Sequence, residues 1–334
     1  MALLDYEHWN RETDAYLSNW MNIFGSATIS ASDNSGPFNY GRYVQCYRYG
    51  RTLATASKIV WVQFHFMVVT PYNTPTERIL GLQNNSGDDH VSIQLEQNRW
   101  IYLNYQTGQV NSGGPVCTEN SWNFFQLRVD IDNSAGSIQC YVNGNSVASV
   151  SGVDTEHPGG PNVHRWLLTS NNNIRYANFV MYNESGNSPN ARSPETRIFA
   201  VMPTSNGFVN DFTASGGANW ECIDEQPNDG DNTYVSAASA PLSELYVCPN
   251  SGAVAGSTVY AVGVELDARK DDAGTNELDE LIRSGGTTFS AGNPSVLTSG
   301  YQRFRAFWDT DPATAAAWTV ANANAAQIGF RRTS

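Results

Sequence analysis

The strongest constraint on the fold is an alternation of apolar and polar residues that dominates positions 123–142. Apolar side chains occupy every second position from Phe125 to Ile131, and polar or charged side chains lie between them. A period of two buries one face of a β-strand and leaves the other in water. A turn follows at residues 132–136 before the alternation resumes, which predicts a β-hairpin. The dipeptide Asn143-Gly144 then predicts a second hairpin turn.

Similar short apolar runs, separated by polar turns, recur along the whole chain. In the first half they predict strands at 58–69, 78–82, 90–95, 100–105, 165–168 and 174–182. In the second half they predict strands at 197–202, 208–212, 234–236, 245–248, 258–268, 287–289, 301–308 and 327–331. A helical spacing occurs near residues 7–21, and this segment could equally be an arm that crosses a neighbouring chain. Many short strands at this spacing predict an all-β chain built of β-sandwiches.

A polar stretch at 183–190 breaks every periodicity and predicts a domain boundary. A chain of 334 residues is long enough for two domains. We therefore expect an N-terminal arm at 1–24, a β-sandwich at 25–190 and a smaller β-sandwich at 191–334.

Charge and cysteine content exclude several classes of protein. Lys and Arg total 19 against 32 Asp and Glu, a net charge of −13. Such a surface repels phosphate backbones, so no nucleic-acid partner is expected. The five cysteines are odd in number and form no C-x-x-C pair, which predicts buried thiols. The apolar run at 59–69 is too short to span a bilayer, and the first residues lack the pattern of a secretory signal, so neither membrane insertion nor export is expected.

Three segments of the first half carry a family resemblance. They are the runs SWNFFQLRVD at 121–130, IQCYVNG at 138–144 and IRYANFVMY at 174–182. Together they resemble the laminin-G or concanavalin-like jelly roll, in which a Trp-led strand pairs with a strand that ends in a Val-Asn-Gly turn. The resemblance implies that 25–190 is a lectin-like jelly roll.

The second half resembles the C-terminal domains of bacteriophage tail and other virion proteins. The matching blocks are MPTS at 202–205, TASGGANW at 213–220, DEQPNDGDNTYV at 224–235, ARKDDAGT at 268–275, and DP with AWT between 311 and 319. This resemblance implies a virion component made in the cytoplasm of a bacterial host. It also implies other virion proteins as partners, and assembly as a homo-oligomer.

Catalysis is not expected from the carboxylates. Concanavalin-like glycoside hydrolases present Glu-x-Asp-x-Glu on one strand, so that alternate carboxylates share a face. The acidic segments at 221–225, 265–269 and 277–280 do not follow that spacing, and we interpret them as solvated turns. No cofactor fingerprint is present. His65 lies within a buried strand pattern and is interpreted as a core residue. Asp88 and Asp89 are weak candidates for calcium, so no metal site is predicted.

Aromatic residues are the candidate binding residues. If Ile101 and Leu103 point inward, Trp100 and Tyr102 project from the opposite face of their strand. A second cluster consists of Tyr43, Tyr47 and Tyr49, which share a face if their strand is regular. Exposed aromatics can stack on sugar rings, bury in a protein interface, or be covered by another part of the same chain. All three alternatives remain open for both clusters.

The sequence thus predicts a structural component of a tailed bacteriophage particle, in the tail, baseplate or fibre, whose jelly roll assembles or adheres to a host-surface glycan. One alternative is a protein that decorates the head. The other is a carbohydrate-binding module with no role in a virion.

Overall fold

The computed structural model describes residues 3–7, 27–29, 44–46, 48–70, 72–169, 173–185, 191–225 and 229–334. The chain divides into two compact units, Met1–Ile198 and Phe199–Ser334. Both are built almost entirely of β-strands, which confirms the all-β prediction.

Two sheets form the first unit. The first, eight-stranded in the described residues, has the order β12-β11-β10-β5-β14-β3-β2, with β1 also paired to β14. Its strands are β1 (Leu3–Glu7), β2 (Ala27–Ile29), β3 (Val44–Cys46), β5 (Ile59–Val68), β10 (Trp122–Asp130), β11 (Gly136–Val142), β12 (Asn145–Val153) and β14 (Ile174–Tyr182). The second, six-stranded, has the order β4-β13-β6-β7-β8-β9. Its strands are β4 (Arg48–Ser57), β6 (Thr76–Gln83), β7 (Asp89–Glu96), β8 (Ile101–Tyr105), β9 (Gly108–Asn111) and β13 (Val163–Thr169).

The core of the first unit lies between these two sheets. Trp166 of β13 stacks on Phe179 of β14 with ring centroids 4.0 Å apart, so a side chain of each sheet meets the other directly. Every second residue of β10 from Phe125 to Val129 is fully buried, as the alternation predicted. Burial of such aromatic and aliphatic side chains is the main source of stability of the sandwich.

The predicted hairpins are confirmed. Strands β10 and β11 pair antiparallel, with Leu127 opposite Cys140, and β11 pairs with β12. Asn143 and Gly144 both have positive φ, at 50° and 82°, as a two-residue hairpin turn requires. The Asn143 side chain also accepts a hydrogen bond from the backbone N–H of Phe124 at 2.8 Å, which ties the turn to the neighbouring strand. The predicted strands of the first half, 58–182, are present with small shifts of their ends.

The first unit extends beyond the predicted boundary at residue 190. The segment 191–198, here called the strap, forms no strand and lies against the eight-stranded sheet. Ser193 is 2% exposed, and its backbone carbonyl accepts a hydrogen bond from Gln126 at 2.8 Å. Its hydroxyl contacts Gln63 and Tyr182. The prediction of a strand at 197–202 is therefore wrong: these residues form no backbone pairing with a strand. The strap is held instead by hydrogen bonds that involve side chains of the sheet, Gln63, Gln126 and Tyr182.

The second unit contains a six-stranded sheet and two short two-stranded ribbons. The sheet has the order β15-β18-β24-β20-β21, with β22 also paired to β20, and the ribbons are β16-β17 and β19-β23. The strands are β15 (Ser205–Asn210), β16 (Thr213–Ala214), β17 (Val235–Ser236), β18 (Leu242–Val247), β19 (Val262–Ala268), β20 (Glu277–Ser284), β21 (Thr287–Ser290), β22 (Ser295–Val296), β23 (Gln302–Trp308) and β24 (Gln327–Arg332). A 3₁₀ turn covers Asn219–Cys222, and α1 covers Val320–Ala325.

The core of the second unit lies against one face of its large sheet. Tyr246 of β18 and Phe330 of β24 pack with ring centroids 6.1 Å apart, and Leu278 of β20 joins them. A smaller cluster forms around Ile282 and Trp318. None of the described helices is long and apolar enough to cross a membrane.

The interpretation of 277–280 as a solvated turn is wrong. These residues open β20, an inner strand of the sheet, where Asp279 is fully buried and Glu280 is 3% exposed. Strands tolerate such residues when partners from distant positions satisfy them. Arg331 of β24 donates a hydrogen bond to Asp279 at 3.0 Å, and the backbone N–H of Gly292 donates another at 3.2 Å. Those partners lie 52 and 13 residues away and are invisible in the local pattern.

Candidate functional site

One face of the six-stranded sheet in the first unit is polar and partly accessible. Along β7, Val91, Ile93 and Leu95 are buried in the core, whereas Ser92 and Gln94 between them are half-buried. The same alternation in β8 buries Ile101 and Leu103 and leaves Tyr102 and Asn104 half-buried. Alternating strand residues point to opposite faces, so these polar residues lie on the side away from the core. The prediction that Tyr102 projects opposite Ile101 and Leu103 is confirmed.

The register of three strands brings the polar residues into adjacent rows. Gln94 of β7 lies opposite Arg78 of β6 on one side and Tyr102 of β8 on the other. Ser92 lies opposite Gly81 of β6 and Asn104 of β8. We use the name polar face for the set Arg78, Gly81, Gln83, Asp89, Ser92, Gln94, Tyr102 and Asn104.

An ion pair occupies the middle of the polar face. The Arg78 guanidinium contacts the Asp89 carboxylate, and Gln83 Nε2 donates to the other oxygen of Asp89 at 2.9 Å. The Arg78 and Asp89 side chains are 28% and 26% exposed, but Nε and Nη2 of Arg78 are buried, so Nη1 is the guanidinium nitrogen that a ligand could reach. Arginine bound to a carboxylate holds a fixed planar arrangement of donors and acceptors.

Gly81 makes room for this ion pair. A Cβ at position 81 would come within 2.6 Å of Arg78 Nη2 and 3.0 Å of Asp89 Oδ1. The guanidinium therefore lies directly over the backbone of β6, in space that any other residue would fill. The absence of a side chain here leaves room for the Arg78–Asp89 contact.

A loop at 84–88 and a histidine support the end of β7 that carries Asp89. Asn84 is 1% exposed; its side-chain oxygen accepts from the Asp88 backbone N–H at 2.9 Å. Gln106, after β8, donates to the carbonyl of Asp89 at 2.8 Å.

His90 is 1% exposed; its Nδ1 accepts from the backbone N–H of His157 at 3.0 Å, and its Nε2 lies 3.0 Å from the Asn162 carbonyl. Burial lowers the pKa of His90, which suits a neutral structural imidazole rather than a proton donor.

Trp100 lies next to the polar face. It precedes β8 directly, and its carbonyl accepts a hydrogen bond from the Glu96 N–H at 3.0 Å, which continues the pairing of β7 and β8. Its side chain is half-buried. Trp100 and Tyr102 thus flank Ile101, at the start of β8.

An open pocket of about 550 Å³ lies beside the turn that precedes Trp100. It is lined by Arg99, Pro115, Val116, Cys117, Thr118 and Glu119. Arg99 and Glu119 form an ion pair at 2.7 Å in its wall. Burial raises the pKa of Cys117 to about 12, so this thiol is protonated at neutral pH and is no nucleophile.

The remaining candidate residues from the sequence have different fates. Tyr49 is fully buried and packs against Trp166 at 5.7 Å, so it belongs to the core and not to an exposed aromatic cluster. The reason is that β4 turns this residue toward the core, as its pairing with Leu168 shows. Tyr43 and Tyr47 lie outside the described residues.

The two calcium candidates face different partners. Asp89 is held by Arg78 and Gln83, whereas the Asp88 carboxylate lies 3.9 Å from His157 and accepts from Asn84 at 3.4 Å. Within the part of the chain that the structure describes, no three His, Cys, Asp or Glu side chains converge to hold a metal ion. His65 is buried, at 3% exposure, but it does not lie in the predicted core position. Its neighbours Phe64 and Phe66 belong to the core between the sheets, whereas His65 faces the other way and its Nε2 lies 3.0 Å from Glu195 of the strap.

The acidic segments of the second unit hold structural ion pairs. Glu265 and Asp267 of β19 contact Arg303 and Arg305 of β23 at 2.6–3.3 Å, and these side chains are 5–14% exposed. The interpretation of this segment as a solvated turn is therefore also wrong. Glu221 accepts from the Ala218 N–H at 2.7 Å and caps the 3₁₀ turn.

Sequence reasoning did not identify the Arg78–Asp89 pair. The two residues are 11 positions apart and meet only because β6 and β7 pair. The signal that could have found them is polar alternation in three consecutive predicted strands, which places Arg78, Gln94 and Tyr102 on one face.

Comparison with known proteins gives weak similarities only. No family model matches the chain, and no curated protein matches it. Among solved structures, one similar chain is a sialidase, at 14% identity, with 54% of this chain and 18% of that chain covered and a TM-score of 0.38. The alginate lyase Aly36B is similar at 12% identity, with 54% and 97% covered and a TM-score of 0.35. The carbohydrate-binding module CBM66 from Bacillus subtilis is similar at 8% identity, with 49% and 94% covered and a TM-score of 0.33.

These similarities carry no argument about activity, because every TM-score is below 0.5. The aligned part spans less than a third of the sialidase chains. The case for a function rests on the polar face itself.

Proposed function

We propose that the first unit binds a carbohydrate through its polar face. The observation that carries this proposal is the partly exposed Arg78–Asp89 pair, which the buried Gln83 holds, with the half-buried Gln94 and Asn104 around it and Tyr102 beside it. Sugar hydroxyls both donate and accept hydrogen bonds, and this set offers carboxylate acceptors and guanidinium donors together with amides that do both. An aromatic ring next to such groups supplies an apolar surface for the C–H face of a sugar ring.

The arrangement suits binding more than turnover. The carboxylate at the centre, Asp89, is already engaged by Arg78 and Gln83, and His90 behind it is buried and held by backbone groups on both nitrogens. A retaining or inverting glycosidase needs a second carboxylate positioned across the scissile bond. We therefore propose a binding module and not a hydrolase; release of reducing sugar from any polysaccharide that binds would contradict this.

A glycan array with the full chain tests the proposal. We expect binding to a subset of glycans, and we expect Tyr102→Ala to weaken it by about tenfold, since one aromatic stack contributes about 1 kcal/mol or more. Tyr234→Ala is the matched control, because Tyr234 is an accessible tyrosine (43% exposed) of the second unit. Binding that survives Tyr102→Ala unchanged, or that falls equally with Tyr234→Ala, would remove the polar face as the site.

We also propose that the chain is carried on a bacteriophage particle, in the tail, baseplate or fibre or, alternatively, on the head. The five ordered blocks between 202 and 319 support this, and they resemble virion proteins. In that setting the first unit would supply adhesion to host-surface glycans, while other virion proteins and further copies of the chain would be its partners. Immunogold labelling of purified particles with an antibody to this chain tests the proposal; particles without label would overturn it and leave a free carbohydrate-binding module.

A further inference from the structure

We propose that the polar face selects uncharged carbohydrates and that Asp89 is the residue that excludes anionic ones. This inference rests on the proposed function and adds to it the chemical class of the ligand. It follows from how the charges on and around the polar face are already paired.

The charge of Arg78 is engaged within the protein. Its guanidinium contacts the Asp89 carboxylate, which Gln83 also holds at 2.9 Å. A ligand carboxylate or sulfate that took Arg78 as its counter-ion would have to displace Asp89 or lie beside it. Either outcome places a second negative charge next to a half-buried first one, and like charges at an interface cost binding free energy.

The surroundings of the polar face add further negative charge. Asp88 lies on the adjoining loop, with its side chain 52% exposed, and Glu96 ends β7 opposite Thr76. The second cation, Arg165 of β13, lies opposite Gln83, and its Nη1 is 3.2 Å from where a Cβ of Gly87 would be. Two arginines thus stand against three carboxylates here, in a chain with a net charge of −13.

A neutral sugar does not meet this obstacle. A hydroxyl can donate to an Asp89 oxygen, and a neighbouring hydroxyl can accept from the second hydrogen of Arg78 Nη1, while the ion pair stays intact. The hydrogen bonds are then charge-assisted, which makes them stronger than bonds between neutral groups. The same ion pair therefore attracts hydroxyls and repels carboxylates.

Titration calorimetry of the full chain against a matched pair of polysaccharides tests this inference. The first ligand is a neutral polysaccharide that the glycan array identifies, and the second is the same polymer after oxidation of its primary hydroxyls to carboxylates. We expect the wild type to bind the oxidised polymer at least about tenfold more weakly, consistent with one unfavourable charge contact. We expect Asp89→Asn to reduce that preference by about tenfold, because the variant keeps a hydrogen-bond acceptor but removes the charge.

Two further variants make the result specific. Asp132→Asn removes a carboxylate from an ion pair with Lys58 on a turn of the other sheet, and it should leave the preference unchanged. Glu96→Gln removes a charge from the rim and should reduce the preference less than Asp89→Asn does. If oxidation weakened binding only because a primary hydroxyl is needed, Asp89→Asn would not restore it, and Asp89 would lose its proposed role.

The failure of this inference differs from the failure of the proposed function. A wild-type protein that binds the oxidised polymer as well as the neutral one would overturn the charge selection while leaving carbohydrate binding in place. A protein that binds no polymer of either kind would overturn both. Circular dichroism melts of each variant establish that the fold is retained. If Asp89→Asn is unfolded, Glu96→Gln and Asp88→Asn replace it: a preference that either variant abolishes while Asp89 is still present would contradict the role of Asp89, and a preference that both variants retain would support it.

Discussion

Single positions decide the shape of the polar face, and Gly81 is the clearest case. The atoms that an added Cβ would meet first are the flexible end of Arg78 and the Asp89 carboxylate, and not backbone. The fold can therefore accept a side chain there by moving the guanidinium. The change would alter the binding surface without breaking the sheet.

Gly81→Ala is thus expected to separate binding from stability. We expect glycan affinity to fall by about tenfold or more, with a change in the free energy of unfolding within about 1 kcal/mol. Titration calorimetry and urea unfolding measure the two quantities. Gly114→Ala is the control, since a Cβ at position 114 would have no atom within 4 Å. Unchanged affinity in Gly81→Ala would mean that the position of Arg78 does not matter to the ligand.

Two buried glutamates of the second unit, Glu244 and Glu280, have raised pKa values, which makes the stability of this unit depend on pH. Glu244 is fully buried, accepts from the Phe212 N–H at 2.9 Å and from Asn219 at 3.0 Å, and burial raises its pKa. Burial also raises the pKa of Glu280 from its ordinary value of 4.5, and the neighbouring Asp279 acts in the same direction. The two residues flank Phe330 on adjacent strands.

The sign of the resulting pH dependence follows directly. Below the ordinary pKa the carboxyl group is protonated in both the folded and the unfolded chain, so these two glutamates do not reduce the free energy of unfolding. As the pH rises toward the raised folded pKa, the unfolded chain releases its proton first, and the free energy of unfolding falls. We expect the second unit to become less stable between about pH 4.5 and neutrality through this contribution.

Glu280→Gln should therefore reduce the decrease in the free energy of unfolding between about pH 4.5 and neutrality. At neutral pH the variant should be more stable than the wild type by about 1–3 kcal/mol, the cost of burying a polar group that water would otherwise solvate. Thermal unfolding followed at pH 4.5 and pH 7 measures the difference. Glu277→Gln, a half-buried neighbour on the same strand, should change neither value. A Glu280→Gln protein with the same pH dependence as the wild type would contradict the assignment.

At the scale of elements, the strap shows how a segment without regular structure can belong to a sheet. Ser193 is its most buried anchor and contacts Gln63, Gln126 and Tyr182. Glu195 and Thr196 add contacts with His65 and Gln63. Ser193→Ala leaves Gln63 and Tyr182 with one partner fewer in a buried site. We expect a loss of about 1–3 kcal/mol in the stability of the first unit, and faster proteolysis within 191–198.

Urea unfolding and limited proteolysis of the full chain measure these effects. Ser185→Ala serves as the control, because Ser185 is exposed and bonds only locally, to Asn183. Proteolysis at the same rate in both variants would show that the strap is not held by Ser193.

The elements also show where sequence patterns succeed and fail. The hairpin of β10 and β11 was predicted because apolar and polar residues alternate regularly in each strand and the turns contain Asn, Asp and Gly, the residues that favour turns. Strand β20 was missed because Asp279 and Glu280 interrupt its apolar pattern, and their burial depends on partners from distant strands. The strap was missed for the same reason, since Ser193 and Glu195 are ordinary polar residues until the sheet lies beneath them.

For the candidate site, the orientation of Tyr102 could be predicted, because the alternation within β8 alone shows which of its residues face the core. Asp89 was identified, with its neighbour Asp88, as a calcium candidate. Its ion-pair partner is Arg78, and only the pairing of β6 with β7 reveals this. Tyr49 follows the third alternative for its cluster, cover by another part of the same chain, because its strand turns it toward Trp166. Local patterns thus predict faces of single strands, whereas contacts between strands need the register.

At the scale of the whole molecule, two all-β units share one chain, and the proposed carbohydrate face belongs to the first. The buried ion pairs and glutamates of the second unit serve its own sheet and ribbons. The two units therefore separate the proposed tasks. The first offers a partly accessible set of hydrogen-bonding groups, and the second contains the sequence blocks on which the proposed place in a virion rests.

The most direct test of the carbohydrate-binding face is hydrogen exchange of the full chain with and without a saturating glycan from the array. Bound ligand slows the exchange of the amides that it covers or rigidifies. We expect added protection in β6, β7 and β8 and in the loop at 84–88, with little change in the second unit. Protection confined to other strands, or none at a concentration that saturates binding, would contradict the assignment of this face.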